Sequence, residues 1–317
     1  MTTSPPPAIT ATGLRRSFGD HVVLDGIDLN VPKGTVFALL GANGAGKTTT
    51  VKILSTLIRA DGGSARIAGH DLVAEPDAVR AAIGVTGQFS AVDNLLTGQE
   101  NLILMADLHH LGRAAGRRRA TELLEQFDLA EAGGKAVSTY SGGMRRRLDL
   151  AMTLVGSPQV IFLDEPTTGL DPRSRRGMWQ IVRDLVAGGV TILLTTQYLE
   201  EADELADRIA VLDHGKIVAL GTADELKRRI SGGHVLLRFA ELCDLETAAR
   251  AVGQVSRDSD ALALRVPHDG SLRSLKALIN RLDENAVAVD SLSVHTPDLD
   301  DVFLALTGNP KNEKVTT

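Results

Sequence analysis

The sequence predicts an α/β fold built on a largely parallel sheet, followed by a small α+β domain. Three near-continuous apolar runs, at 35–41, 159–166 and 190–196, are typical of strands that are buried on both faces of a parallel sheet. Helix-like stretches separate these runs. Near Gly232-Gly233 the pattern changes, and the predicted elements beyond it follow the order βαββαβ, which favours a ferredoxin-like arrangement.

These patterns set the expected boundaries. We expect a flexible leader at 1–10, a first domain at 11–230, an accessory domain at 231–308 and a disordered tail at 309–317. Within the first domain, Thr97 and Glu100 have the spacing of a capping box, which predicts that a helix begins there.

Composition narrows the class of partner. The formal net charge of −6 argues against nucleic acid as the main partner, and the single cysteine excludes an internal disulfide and fits a reducing cytoplasm. The N-terminal stretch lacks the basic start and apolar core of a signal peptide. No apolar run approaches the roughly 18 residues needed to span a bilayer. We therefore expect any link to a membrane to go through another chain or a surface contact.

A glycine-rich stretch, GANGAGKTTT at 41–50, lies between a predicted strand and a predicted helix. It matches the phosphate-binding pattern G-x-x-x-x-G-K-[ST] with Gly41, Gly46, Lys47 and Thr48. The glycines let several backbone N–H groups converge on one anion, and the helix N-terminus adds positive potential. We expect Lys47 to reach the β- and γ-phosphates of a nucleotide and Thr48 to hold Mg²⁺.

Two carboxylates follow a second apolar run, in VIFLDEP at 160–166. Neighbouring strand residues point to opposite faces, so Asp164 and Glu165 need not share a role. We expect Asp164 to reach Mg²⁺, directly or through water, and Glu165 to polarise the attacking water as general base. The alternative is a strand-end turn with two solvated acids.

A third motif, YSGGMRRRLDLA at 140–151, predicts a second anion site. Ser141 is suited to cap a helix whose first turn holds Gly142 and Gly143, which offers a hydroxyl, bare N–H groups and a helix dipole. For Ser141 alone, an ordinary helix cap is the alternative. The three arginines at 145–147 are interpreted as a solvated helix face.

Together these motifs resemble those of the ATP-binding subunits of ABC transporters, over about residues 11–230. The resemblance identifies GANGAGKTT as Walker A, VIFLDEP as Walker B and YSGGMRRRL as the signature motif. It implies a P-loop NTPase fold of ABC ATPase type with a helical subdomain at about 89–155, ATP and Mg²⁺ as cofactors, and hydrolysis of ATP to ADP and phosphate. It also implies ATP contacts from Asn43, Gly44, Ala45 and Thr49.

The resemblance adds three residues outside these motifs. Phe18 stands where the family places an aromatic ring against adenine, although a core aromatic beside a turn is the alternative. Gln88 stands at the Q-loop position, which implies contact with ATP and with Mg²⁺. Asp171, in GLDP, stands in the D-loop.

The resemblance also implies partners. Two copies pair head to tail, so that each ATP lies between Walker A of one copy and the signature motif of the other. The segment after Gln88 resembles the region that contacts a membrane subunit, and its apolar residues predict an exposed docking patch, with core packing as the alternative; they are Phe89, Val92, Leu95 and Leu96.

Two stretches, TTQYLEEAD at 195–203 and LDDVFLALTG at 299–308, resemble the drug-export branch, and within it the daunorubicin/doxorubicin-resistance ATP-binding family. This implies a separate integral-membrane permease, a hydrophobic drug or antibiotic as transported substrate, and a peripheral position on the cytoplasmic face of the cell membrane. The alternatives are a soluble ABC protein, and a nucleotide-dependent regulatory or drug-sequestering protein with no transport role.

Gln197 stands where most ABC proteins have a histidine that contacts the γ-phosphate, although the drug-export branch has glutamine there too. A glutamine amide can orient water or bond a phosphate oxygen, but it cannot carry a positive charge. We expect Glu165 to be the base and Gln197 a neutral positioning residue. The alternative is that Gln197 only caps a helix.

Overall fold

The structure, a computed structural model of the 317-residue chain, describes residues 6–87, 91–229, 233–253, 255–268 and 271–307. The chain divides into two compact units, Met1–Ala223 and Asp224–Thr317. The division lies a few residues before the boundary that the sequence predicts at 230. The predicted tail at 309–317 lies outside the described residues.

Fourteen strands are found in the described residues. In chain order they are β1 Ile9–Phe18, β2 His21–Val31, β3 Val36–Leu40, β4 Gly62–Ile67, β5 His70–Asp71, β6 Ile83–Thr86, β7 Val160–Asp164, β8 Thr191–Thr196, β9 Arg208–Asp213, β10 Lys216–Gly221, β11 His234–Arg238, β12 Ser256–Asp258, β13 Ala263–Pro267 and β14 Ser291–His295.

Eleven α-helices accompany these strands in the same part of the chain. They are α1 Lys47–Leu54, α2 Pro76–Ala82, α3 Gly98–Leu108, α4 Arg113–Gln126, α5 Gly142–Thr153, α6 Pro172–Ala187, α7 Leu199–Leu205, α8 Ala223–Arg228, α9 Leu242–Val252, α10 Leu272–Glu284 and α11 Leu299–Thr307. The predicted capping box is confirmed, because Thr97 and Glu100 bond reciprocally at the start of α3.

The first unit is organised around a six-stranded sheet in the order β10-β9-β3-β8-β7-β6. All neighbours are parallel except β9 and β10. Every residue of β3, β7 and β8 is buried, which confirms that the apolar runs form strands covered on both faces. Because β8 lies between β3 and β7, the carboxyl ends of these three strands meet at one edge of the sheet, where ligands bind in open α/β sheets.

A second, antiparallel sheet of the first unit has the order β2-β1-β4-β5. The predicted leader is too long, because Ala8 is buried and donates its N–H to Val31 O, and β1 begins at Ile9. Ile9 is fully buried and belongs to the core that these strands share with β3 and β7. Residues 8–10 are thus held by the sheet rather than free.

The second unit follows the predicted order of elements, β11-α9-β12-β13-α10-β14. Its four strands form an antiparallel sheet in the order β12-β13-β11-β14. One face of this sheet packs against α9 and α10 through a small apolar core, whose members include Val235, Leu237, Phe239, Leu245, Leu264, Leu278 and Leu282. No helix in the described part of the chain is both long enough and apolar enough to cross a membrane.

Candidate functional site

The glycine-rich loop forms a tight cradle between β3 and α1. Gly46 has φ +110 and immediately precedes the helix, and a Cβ added there would lie 2.6 Å from Leu24 Cδ2 and 2.9 Å from Val23 O. A Cβ added at Gly41 would lie 2.4 Å from Leu212 O. Both positions therefore require glycine, so the loop backbone can come close to a ligand at the N-terminus of α1.

Lys47 is the buried cation of this cradle, with 4% of its side chain exposed. Its Nζ donates to Gly41 O at 2.9 Å and to Ala42 O at 3.1 Å, and lies 3.5 Å from Glu165 Oε1. Burial lowers the pKa of the ammonium group, and the neighbouring carboxylates of Glu165 and Asp164 oppose that shift. The amine is thus fixed over the loop, where a phosphate would find a charge-assisted donor.

Asp164 ends β7, and its side chain is almost completely buried. Its Oδ1 accepts a hydrogen bond of 2.6 Å from Thr195 Oγ1 and one of 3.2 Å from Thr48 Oγ1. The structure therefore brings two of the three predicted Mg²⁺ ligands, Thr48 and Asp164, into direct contact. A hydroxyl and a carboxylate oxygen are the hard ligands that Mg²⁺ prefers, so the residues present fit this ion.

Glu165 adopts an uncommon backbone conformation, with φ +50. Such a conformation costs roughly 1–2 kcal/mol for a residue with a side chain. Its N–H donates to both the carbonyl and the hydroxyl oxygen of Thr195, each at 3.1 Å, and its Oε2 accepts from Thr168 Oγ1 at 3.3 Å. Glu165 is held in a turn just beyond β7, so the alternation of strand side chains does not decide where its carboxylate points.

One cavity of 420 Å³ gathers most of the nucleotide-binding residues predicted in the glycine-rich stretch. Its lining comprises Phe18, His21, Val23, Asn43, Gly44, Gly46, Lys47, Thr48, Thr49 and Glu165. Ala45 is buried and is absent from that lining. Phe18 is 50% exposed and packs against the guanidinium of Arg16, whose Cζ lies 4.7 Å from the ring centroid, so the interpretation of Phe18 as a core residue is wrong.

The signature motif lies on a different cavity. Ser141 caps α5, and its Oγ accepts a hydrogen bond from Met144 N at 3.2 Å, so the predicted cap is present. Gly143 faces α6, where a Cβ would lie 2.7 Å from Ser174 Oγ. Ser141 and Gly143 line a cavity of 440 Å³ that shares no residue with the lining around Lys47.

Asp171 caps α6 beside the signature motif. Its carboxylate accepts from Ser174 Oγ at 2.6 Å and from the N–H groups of Arg173 and Ser174. These bonds, above all that from the Ser174 hydroxyl, lower the pKa of Asp171. The carboxylate is thus engaged by its own helix.

The last predicted site residues follow β8 and β6. Gln197 is half-buried directly after β8, and α7 begins at Leu199 with Tyr198 as its N-cap, so the interpretation of Gln197 as a helix cap is wrong. Gln88 lies outside the described residues. In the predicted docking patch, Val92 is buried, Leu96 is half-buried and Leu95 is 89% exposed, whereas Phe89 also lies outside the described residues.

Sequence reasoning missed two residues of this region. The hydroxyl of Thr195 donates to Asp164 Oδ1 and accepts from Glu165 N. The sequence feature that could have indicated this role is the pair of threonines at the end of an apolar run. Arg146 has only 11% of its side chain exposed and donates to the carbonyl of Pro166, so the interpretation of this arginine as a solvated residue is wrong.

Comparison with known proteins shows the family. The model of the ABC transporter family matches residues 24–168. The chain is 51% identical to the daunorubicin resistance ATP-binding protein DrrA3 of Streptomyces coeruleorubidus, over 97% of this chain and 98% of that protein. The chain belongs to the ABC transporter family.

Two further likenesses support this membership. The chain is 49% identical to the daunorubicin/doxorubicin resistance ATP-binding protein DrrA of Streptomyces peucetius, over 100% of this chain and 97% of that protein. The chain superposes on a solved ATP-binding subunit of an ABC transporter with a TM-score of 0.63 and 29% sequence identity. The superposition covers 70% of this chain and 92% of the solved chain. The α/β fold of ABC ATPase type is thereby confirmed, and the ABC chain is an ATPase that binds ATP.

Proposed function

We propose that this ABC ATPase powers the export of a hydrophobic drug or antibiotic through a separate integral-membrane permease. The observation that carries the proposal is the identity of about half the residues with drug-resistance ATP-binding proteins, over 97–100% of the chain. That likeness includes both units, whereas the solved ATP-binding subunit covers only 70% of the chain. In this proposal the chain works at the cytoplasmic face of the membrane, and the exposed Leu95 is part of the surface that meets the permease.

Transport is tested by drug accumulation in cells. Cells that produce the chain with its permease should accumulate less drug than cells with the permease alone, and Glu165→Gln should abolish the difference. Equal accumulation with and without the chain would refute export. A drug-sequestering protein would instead bind the drug at equilibrium without any permease, and Glu165→Gln would leave that binding intact.

We further propose how the residues of the Lys47 cavity share the reaction. Lys47 and the loop backbone hold the β- and γ-phosphates, and Phe18 stacks on adenine, since its ring is half exposed at the rim of that cavity. Thr48 and Asp164 hold Mg²⁺, which neutralises phosphate charge when bound. Glu165 accepts a proton from the attacking water, and Gln197 orients that water without carrying charge.

The site is completed by a second copy of the chain in this proposal. Ser141 and Gly143 line a cavity separate from that of Lys47, which supports a composite site in which the signature motif of one copy closes on the ATP bound by the other. Hydrolysis then needs both motifs, because each ATP contacts Walker A of one protomer and the signature motif of its partner.

Complementation between two inactive variants tests this arrangement. Lys47→Ala and Ser141→Arg should each abolish turnover alone. When they are mixed, half of the dimers are heterodimers and each regains one intact site, so activity should recover to about a quarter of the parent's in a two-fold symmetric dimer. A mixture that stays as inactive as its components would refute the composite site, and the same two variants mixed after covalent cross-linking of each homodimer provide the control.

A further inference from the structure

Arg146, in the middle of the 145–147 run, turns inward. It lies on α5, has 11% of its side chain exposed, and pairs through Nη1 with Oδ2 of the more deeply buried Asp149 at 3.2 Å. Arg146 forms a hydrogen bond with one residue of the lining of the Lys47 cavity, and that bond, of 3.5 Å, goes to the backbone carbonyl of Glu165. Its other bonds go to groups outside that lining. Its side chain therefore acts on protein groups rather than on ATP.

The guanidinium of Arg146 binds the backbone turn that carries Glu165. Its Nε donates to Pro166 O at 2.9 Å, and its Nη2 donates to Asp164 O at 3.3 Å, with Glu165 O at 3.5 Å. These carbonyls converge on one cation because Glu165 has φ +50. The planar guanidinium reaches these carbonyls through Nε and Nη2 while Nη1 donates to Gly87 O, and a lysine, whose donors all lie on one nitrogen, cannot span acceptors spread in this way.

The same ion pair also holds residues 87 and 91, the two ends of a stretch that lies between β6 and α3. Arg146 Nη1 donates to Gly87 O at 3.0 Å, and Asp149 Oδ1 accepts from Ala91 N at 3.1 Å. Residues 87 and 91 thus share one anchor with the turn at Glu165. A displacement of either end must either break a hydrogen bond of a buried ion pair, which is unfavourable, or move the guanidinium and with it the turn.

We propose that Arg146, held by Asp149, is a positioning residue for ATP hydrolysis: it fixes the left-handed turn of Glu165 and makes that turn depend on where residues 87 and 91 lie. The proposal rests on the role of Glu165 as base given above. In that role a small shift of the carboxylate lowers the rate steeply, whereas Arg146 bonds to no residue of the phosphate loop and reaches Asp164 only at its backbone carbonyl. Arg146 therefore acts on turnover and not on binding.

The test compares Arg146→Lys and Asp149→Asn with a matched control, Arg119→Lys. Arg119 is a partly buried arginine whose Nη2 donates to Leu154 O, away from the Lys47 cavity. Three quantities are measured: kcat, the Kd of a non-hydrolysable ATP analogue, and hydrogen exchange at the amides of Glu165 and Ala91. We expect Arg146→Lys to lower kcat about ten- to a hundredfold, the effect of misplacing a catalytic group by up to about 1 Å, with Kd unchanged.

Hydrogen exchange separates positioning from general damage. In Arg146→Lys and Asp149→Asn the amides of Glu165 and Ala91 should lose protection together, while the amides of β3 and the denaturation midpoint stay near those of Arg119→Lys. Parental kcat in Arg146→Lys would overturn the proposal, and so would a loss of kcat accompanied by an equal loss of affinity. If Arg146→Lys fails to fold, Asp149→Asn decides by the same criteria, because it keeps the guanidinium and removes the charge and one acceptor oxygen of its partner.

Failure of the proposed base is distinguishable from failure of this inference. Glu165→Gln with parental turnover refutes the base assignment whatever Arg146→Lys does. Glu165→Gln without turnover, combined with parental kcat in Arg146→Lys, leaves the base in place and refutes the positioning role.

Discussion

Gly46→Ala is the sharpest test of the phosphate cradle, because the added methyl group causes both backbone strain and steric overlap. The backbone at Gly46 has φ +110, and the added Cβ would overlap both a side-chain methyl of Leu24 and the carbonyl oxygen of Val23. A left-handed conformation costs roughly 1–2 kcal/mol, and overpacking costs roughly 1–3 kcal/mol. The free energy of unfolding should therefore fall by about 2–5 kcal/mol.

Two other glycines serve as matched controls. Gly44 has φ +84 and Gly13 has φ +61, and a Cβ on either would have no neighbour within 4 Å. Their alanine variants carry the backbone cost alone, so each should lose about 1–2 kcal/mol. Gly13 lies outside the cavity, whereas Gly44 lines it, so the two also separate a loss of stability from a loss of ATP binding.

The assay is denaturant unfolding of the three variants and the parent, first without nucleotide and then with a saturating ATP analogue. The gain in unfolding free energy on adding the ligand reports affinity, since it grows as the logarithm of ligand concentration over Kd. Gly46→Ala should lose most of that gain and Gly13→Ala none. If Gly46→Ala is no less stable than Gly44→Ala, the overlap argument is wrong; if it keeps the full ligand gain, this loop is not the cradle.

Three further outcomes are expected. Gln197→Ala should lower kcat about ten- to a hundredfold, the value of one hydrogen bond to a charged group, whereas Gln197→His should keep turnover and add a pH step near the histidine pKa; parental turnover in Gln197→Ala would exclude positioning. Thr48→Val should weaken the dependence of nucleotide affinity on Mg²⁺, measured by titration with and without the ion, since Asp164 is left as a ligand; a dependence equal to the parent's would exclude Thr48 as a ligand. Burial raises the pKa of Glu201, opposed in part by the hydrogen bond that Trp179 Nε1 donates to its Oε1 at 3.3 Å. A carboxyl with a raised folded pKa stabilises fully below its unfolded pKa and loses that contribution as the pH rises, so Glu201→Gln should gain stability over the parent as the pH rises above the ordinary glutamate value of 4.5 in denaturation experiments; a constant difference would contradict this.

The phosphate cradle was predictable because its determinants are local. The strand, the glycines and Lys47 occur within one short stretch, and each glycine has a backbone reason that the pattern itself encodes. The pairing of Thr48 with Asp164 was predictable in the same sense, since both follow apolar runs whose carboxyl ends meet at one edge of a parallel sheet. The order of strands and helices in the second unit, β11-α9-β12-β13-α10-β14, was predictable from the alternation of strand-like and helix-like stretches in the sequence.

Residues whose roles depend on distant partners were not predictable. Thr195 reaches Asp164 across 31 positions of the chain, and the sequence shows only a second threonine at the end of a strand. Arg146 stands in a run of three arginines, where composition indicates a solvated face, and its burial depends on the turn at Glu165. The turn itself depends on a positive φ at Glu165, a backbone conformation that glutamate rarely adopts.

The two helix caps beside the second cavity differ in what they can still offer an anion. Ser141 uses a lone pair of its hydroxyl oxygen to accept from Met144 N, so its own O–H remains a donor for a phosphate oxygen. Asp171 is acceptor-only, carries negative charge, and already accepts three hydrogen bonds within α6. Capping and phosphate contact are thus compatible at Ser141 and opposed at Asp171. The predicted contact of Asp171 with ATP stays a prediction, and the contacts present give Asp171 a second role, in which it orders the start of α6 and holds Ser174 close to Gly143 of the signature motif.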